Sequence, residues 1–225
     1  MSSSNGGPRG AALDPPVTLD HLVVVRWMTE LDRRLQAAEA HLTELDAAIG
    51  DADHGANMTR GARAAVTAVT EEATQDPSRL ITAVGHALSR SIGGASGPLY
   101  GTWFTALGRR LPDTPAAPAA VAAALAAGLD AVQQLGAAEL GDKTMVDALA
   151  PAAAAAEDAA RAGAGLAGTL RLAVAAAEDG ALATVPLRAR KGRASYLGAR
   201  SEGHQDPGAT SAVIVLDALR AAAEA

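Results

Sequence analysis

The sequence predicts an all-α protein, a bundle of about eight helices with short connections and one long loop. Three observations carry that expectation. Alanine dominates and aromatic residues make up only 2% of the 225 positions, a composition biased toward helix and away from strand. Apolar residues recur at a period near 3.6 in segment after segment. Strand signals are almost absent.

The elements follow in order. The opening "MSSSNGGPRGAALDPP" is rich in Ser, Gly and Pro and reads as a disordered leader over residues 1–17, with one helical domain filling 18–225. Thr18 or Asp20 can cap a long first helix, in which Leu19, Leu22, Val23, Trp27 and Leu31 keep the helical period. A second helix starts near Gly55, with Met58, Ala62, Val66 and Val69 on one face. "DPSRLITAVGHALSRS" begins a third with proline in its first turn. "GGASGPLYG" then punctuates, and "TWFTALGRRL" continues helically. Four Ala-rich helices are expected at 116–135, 143–161, 164–182 and 208–223. Between the last two, "VPLRARKGRASYLGARSEGHQDPG" is a long basic segment of the kind that is functional when it interrupts a compact domain.

Composition narrows the function. The chain has no cysteine, which excludes disulfides and thiolate metal sites. A net charge of −6 and a pI near 5.3 argue against an electrostatic grip on nucleic acid or an anionic membrane. No uninterrupted apolar run reaches the roughly 18 residues that span a bilayer. The expected location is the cytoplasm.

The chemistry concentrates at helix junctions. "LDAAIGDADHGANMTRG" (45–61) places Asp46, Asp51 and Asp53 within eight positions. At roughly 5 Å and an effective dielectric near 20, each pair repels by about 3 kcal/mol, so a cation is expected among them. Hard oxygen ligands suit Mg²⁺ or Ca²⁺. An EF-hand is excluded, because Gly55 comes one position early and the twelfth position is Ala62. "SIGGASGPLYGT" (91–102) either offers backbone amides to phosphate oxygens at the start of a helix or makes a tight interhelical connection, and it is not a Walker A loop. "GDKT" (141–144) reads as a helix N-terminus capped by Asp142 or Thr144. The basic segment brings Arg188, Arg190, Lys191, Arg193 and Arg200 into an acidic protein, a set suited to clamping phosphate. His204 reads as a surface histidine. Gathered at one end of a bundle, these loops would make a magnesium–nucleotide site for phosphoryl transfer.

The four motifs "LDAAIGDADHGANMTRG", "GGASGPLYGT", "GDKTMVDAL" and "ARKGRASYLGARSEGHQDPGATS" together closely resemble the nucleotide-binding L subunit of bacterial dihydroxyacetone kinase, from about Leu19 to the C-terminus. The leader and the spacer "RRLPDTPAAPAAVAAALAAG" carry no family motif. The resemblance implies an eight-helix antiparallel barrel with the nucleotide at one end. It implies two Mg²⁺ ions held by Asp46, Asp51 and Asp53, bridging the phosphates of ADP or ATP. His54, Gly55, Ala56, Asn57, Ala95 and Ser96 would lie along phosphates and ribose. Gly136 and Met145 would border the adenine, and Arg193, Asp206, Pro207 and Gly208 would close the site. The implied partners are a K subunit that holds dihydroxyacetone and a phosphocarrier M subunit that recharges a resident ADP from phosphoenolpyruvate. A homodimer is a further candidate assembly. Carrying only the L part favours this three-subunit branch over fused kinases that use exchangeable ATP. Competing readings are a kinase for another ketose such as erythrulose, a non-catalytic ADP–Mg²⁺ regulator, and a phosphohydrolase with His54 as base.

Overall fold

The computed structural model describes residues 17–225, so the expected leader lies, apart from Val17, outside the described residues. Eight α-helices follow one another: α1 His21–Ile49, α2 His54–Glu71, α3 Pro77–Ser91, α4 Ser96–Arg110, α5 Pro118–Gly136, α6 Val146–Arg161, α7 Leu166–Ala183 and α8 Pro207–Glu224. A 3₁₀ segment, Arg193–Ser201, lies between α7 and α8. Among the described residues there is no strand, only an isolated bridge between Leu19 and Ala116.

Each helix packs on its successor, and α8 packs on α1 and closes the ring. Short connections make sequential neighbours antiparallel. The α1–α2, α3–α4, α5–α6 and α7–α8 connections therefore share one end, where α2, α4, α6 and α8 also begin. The opposite end is tied by paired 2.9 Å bonds between the backbones of Leu19 and Ala116, which join the start of α1 to the α4–α5 connection.

The caps are local and readable. Of the two capping candidates for α1, Asp20 serves, accepting from the Val23 amide at 2.9 Å. Asp76 accepts from Ser78 and Arg79 ahead of α3, and Asp206 accepts from Ala209 at 2.7 Å ahead of α8, each followed by proline at the first helical position. Inside the ring, Trp27 of α1 meets Trp103 edge-on at 6.4 Å and Phe104 tilted at 5.2 Å between centroids, and these two residues of α4 meet each other edge-on at 4.8 Å. The Trp27 indole donates to the Val215 carbonyl of α8 at 2.9 Å. Alanine has a structural purpose on the other side. Ala148, Ala152, Ala156, Ala173, Ala177 and Ala212 are buried where α6, α7 and α8 meet, and their small side chains let these helices approach closely.

Four boundaries and expectations change. Helix α4 begins at Ser96, six residues before "TWFTALGRRL". Pro98 falls in the first turn, where its missing N–H costs no bond, and Gly97 has no room for a Cβ, which would sit 2.3 Å from the Ile92 carbonyl oxygen. Helix α6 begins at Val146 rather than 143, because Lys143 takes a left-handed backbone, φ 63°. The long basic segment is ordered by its own turns, with a kink at Gly198 (φ 60°, ψ −129°) and the Ser201 hydroxyl bridging the Ala189 amide and the Gly198 carbonyl. Finally, α5 is long and apolar enough to cross a membrane by length and composition. In the ring it is a wall between α4 and α6, with Val121, Ala124, Leu125, Gly128 and Val132 turned inward.

Candidate functional site

All four connections at the shared end line one cavity of about 480 Å³. Asp46 is buried in the last turn of α1, while Asp51 and Asp53 are exposed on the loop that follows. One oxygen from each carboxylate falls within 4.8 Å of the others. Local backbone makes this possible. Asp46 Oδ2 accepts from the amides of Asp53 and His54 at 2.9 and 3.2 Å, so a carboxylate of α1 caps α2. Asp46 Oδ1 occupies the space a Cβ on Gly50 would take, at 2.0 Å, so only glycine fits there. Ala52, between the exposed aspartates, holds the left-handed conformation at φ 63°.

Opposite the carboxylates stand positive groups. The N-termini of α2, α4, α6 and α8 reach the cavity wall through His54, Ser96, Val146 and Pro207. Each helix start carries roughly half a positive charge. Arg193 reaches across from the α7–α8 connection to place Nη2 3.0 Å from Asp51 Oδ2. Hard carboxylates facing helix N-termini and a guanidinium fit a divalent cation bound together with phosphate. The rest of the wall is apolar, with Leu99, Val132, Leu135, Gly136, Ala138 and Met145 offering a surface for a flat base.

His54 is buried and held at both nitrogens. Nε2 lies 2.9 Å from Ser211 Oγ, and Nδ1 lies 3.4 Å from Ser96 Oγ. Ser211 in turn meets the Tyr100 hydroxyl at 2.7 Å. Burial lowers the imidazole pKa, against the opposing pull of Asp46 and Asp53, so the ring is neutral near pH 7. Burial also raises the Tyr100 pKa and keeps its hydroxyl neutral. Burial pushes the Asp206 carboxyl up to about 7, with hydrogen bonding from the Ala209 amide working against the rise.

Of the residues named from the sequence, the cavity wall brings together Asp46, Asp51, Asp53, His54, Ala95, Ser96, Gly136, Met145, Arg193, Asp206, Pro207 and Gly208. Gly55, Ala56 and Asn57 lie outside it. Gly55 faces α1, where a Cβ would sit 2.1 Å from the Glu39 carbonyl oxygen. Ala56 is exposed on α2. Asn57 is buried under Gly93 and accepts from Arg60, so it supports the glycine loop from beneath. "GDKT" resolves in favour of one of its two capping candidates. Asp142 accepts from Glu139 in the turn before α6. The start of α6 is secured by Thr144 Oγ1, which accepts from Val146, and by the Asp147 carboxylate, which accepts from Gly141 and Thr144. Sequence reasoning missed Lys143, Tyr100 and Leu99 in the wall. For Lys143 a signal existed: it is one of only two lysines in a chain with 17 arginines.

Residues 48–221 match the DAK2 domain. The chain belongs to the DAK2 domain family. It is 39% identical over 212 residues to the ADP-binding subunit DhaL of the PEP-dependent dihydroxyacetone kinase of Escherichia coli, covering 92% of this chain and 100% of that one. It is also 39% identical over 186 residues to the L-erythrulose 1-kinase of Mycolicibacterium smegmatis, covering 80% of this chain but 32% of that enzyme. In three dimensions it matches the crystal structure of the dihydroxyacetone kinase from C. freundii in complex with AMP-PNP and Mg²⁺. The TM-score is 0.69 at 27% identity, over 98% of this chain and 38% of that one. The chain thus spans well under half of these larger kinases.

Proposed function

We propose that this chain is the nucleotide-carrying subunit of a ketose kinase, holding Mg²⁺–ADP or Mg²⁺–ATP and passing the γ-phosphoryl to dihydroxyacetone bound on a separate K subunit. The observation that carries the reading is the convergence of Asp46, Asp51 and Asp53 with four helix N-termini and Arg193 on one cavity. In this reading the three aspartates hold two Mg²⁺ ions, which neutralise phosphate charge. The amides of the Gly93–Ser96 turn and the starts of α2 and α8 cradle the phosphates. The apolar wall near Gly136 and Met145 takes the adenine. Positioning and charge neutralisation are the whole contribution of this chain to transfer.

The near end-to-end match with a PEP-dependent relative supports recharging of a resident ADP by a phosphocarrier M subunit in the cytoplasm. The mouth suits docking of the acceptor subunit. Tyr196, 88% exposed, and Leu140, 66% exposed, stand on two of the connections that line the cavity, both apolar enough to anchor a partner. No sugar-binding group is recognisable in the wall. The phosphohydrolase reading is disfavoured because both His54 nitrogens face serine hydroxyls inside the wall, leaving neither free to activate water.

Denaturing the purified protein and analysing the supernatant tests the proposal. Stoichiometric ADP is expected. An empty protein that also fails to bind Mg²⁺–ADP would overturn the reading, while weak binding of free ATP would move it to the ATP-dependent branch.

A further inference from the structure

The α5–α6 connection grips the α7–α8 connection at three places, and one side chain makes two of them. Lys143 is 1% exposed, and its Nζ donates to the carbonyls of Thr184 (2.7 Å), Val185 (3.5 Å) and His204. Thr184 and Val185 are where the chain leaves α7, and His204 is where it returns toward α8. One residue earlier, the Asp142 carbonyl accepts from the Arg190 amide at 3.1 Å. The neck is completed by Gly203 donating to the Val185 carbonyl and Asp206 donating to Thr184 Oγ1, at 2.8 and 2.9 Å.

An ammonium has three donors disposed around one point, which suits three carbonyls converging from two strands of chain; a planar guanidinium does not. That accounts for a lysine in a chain where 17 of the 19 lysine and arginine positions are arginine. Lys143 also holds a left-handed backbone, φ 63°, which side-chain-bearing residues rarely adopt. Such strain persists where surrounding contacts demand it.

We infer that Lys143 is a positioning residue, a clasp that closes the neck of the Val185–Gln205 loop and thereby sets Arg193 against the carboxylate loop. Arg193 stands three residues beyond the grip at Arg190 and 3.0 Å from Asp51. The clasp joins the wall assigned to the adenine, through Met145, to the loop that closes over the phosphates. Its effect on nucleotide rests on the proposed function; its effect on the loop does not.

Limited trypsinolysis of the full chain, with and without Mg²⁺–ADP, separates the two. Arg188, Arg190, Lys191, Arg193 and Arg200 make the loop the densest tryptic target in the protein. Lys143→Met should raise first cleavage within the loop by about tenfold, because local opening now costs fewer bonds. Lys143→Asn, which tolerates a left-handed backbone but cannot reach the carbonyls, should do the same. If Mg²⁺–ADP protects the wild-type loop and not the Lys143 variants, the clasp acts on the site. If it protects neither, the loop result still stands and the nucleotide reading fails. Wild-type protection in both Lys143 variants would overturn the inference, as would cleavage rising equally at Arg26 in α1 and Arg220 in α8.

Discussion

Arg193 Nη2 and Asp51 Oδ2 stand 3.0 Å apart, joining the α7–α8 connection to the carboxylate loop across the mouth of the cavity. The arginine is 68% exposed, so the pair itself adds little to stability, about 0–1 kcal/mol. Its value is positional, since it holds a guanidinium where phosphate charge would lie.

Arg193→Ala should therefore leave the unfolding midpoint of the nucleotide-free protein almost unchanged and weaken Mg²⁺–ADP retention by about tenfold or more. Arg193→Lys should recover only part, because an ammonium cannot copy a bidentate fork. Calorimetry of Mg²⁺–ADP binding checks both; full recovery by lysine would mean that only net charge counts.

The three aspartates should separate by variant. Asp51→Asn and Asp53→Asn should abolish transfer with no loss of helicity, since neither side chain is needed for the fold. Asp46→Ala should also cost about 1 kcal/mol of stability, because its carboxylate caps α2 through the Asp53 and His54 amides. Asp46→Asn keeps an acceptor and should lose metal binding with less destabilisation. Denaturant titration beside Mg²⁺ titration distinguishes these outcomes.

Asp206 predicts a pH dependence. Burial raises its carboxyl to about 7 in the folded chain, against about 3.9 when unfolded. Between those values the folded state keeps a proton that the unfolded state releases. Its contribution to stability therefore falls as pH rises through the window and levels off above about 7. Asp206→Asn does not titrate and retains an acceptor for the Ala209 amide. Measured without metal, its stability relative to wild type should rise between about pH 4 and pH 7. A constant difference across that range would contradict the assignment.

Ser211 is the shared partner of Tyr100 and His54. Ser211→Ala strands two buried polar groups and should cost about 1–3 kcal/mol. Tyr100→Phe removes one of them and should cost less, and the double variant should be less than additive. Thermal or denaturant unfolding of the three proteins measures this.

Much of this was legible in the residues. Periodicity, the Asp20 cap and the proline that opens the third helix located helices, and the aspartate spacing located the carboxylate cluster, because these depend on neighbours in sequence. The start of α4 was misplaced because Gly and Pro look like a break, yet Pro98 sits in the first turn and Gly97 is required by the Ile92 carbonyl. The role of Lys143 was hidden because its three acceptors lie 41–61 residues away. Gly55 carries a packing role that no local pattern announces, since its missing Cβ lets α2 lie against the Glu39 carbonyl of α1.

The central claim is that this chain supplies the charged nucleotide and another protein supplies the sugar. It is tested most directly by measuring sugar phosphate from dihydroxyacetone with each component omitted in turn: this chain, a K subunit, a phosphocarrier, and Mg²⁺–nucleotide. Transfer needs the acceptor hydroxyl within roughly 3–3.5 Å of the γ-phosphoryl, and the cavity wall carries no group recognisable as a sugar ligand. The account predicts almost no product from this chain alone with Mg²⁺–ATP, and turnover once the K subunit and a phosphoryl source are present. Robust turnover by the isolated chain would contradict it.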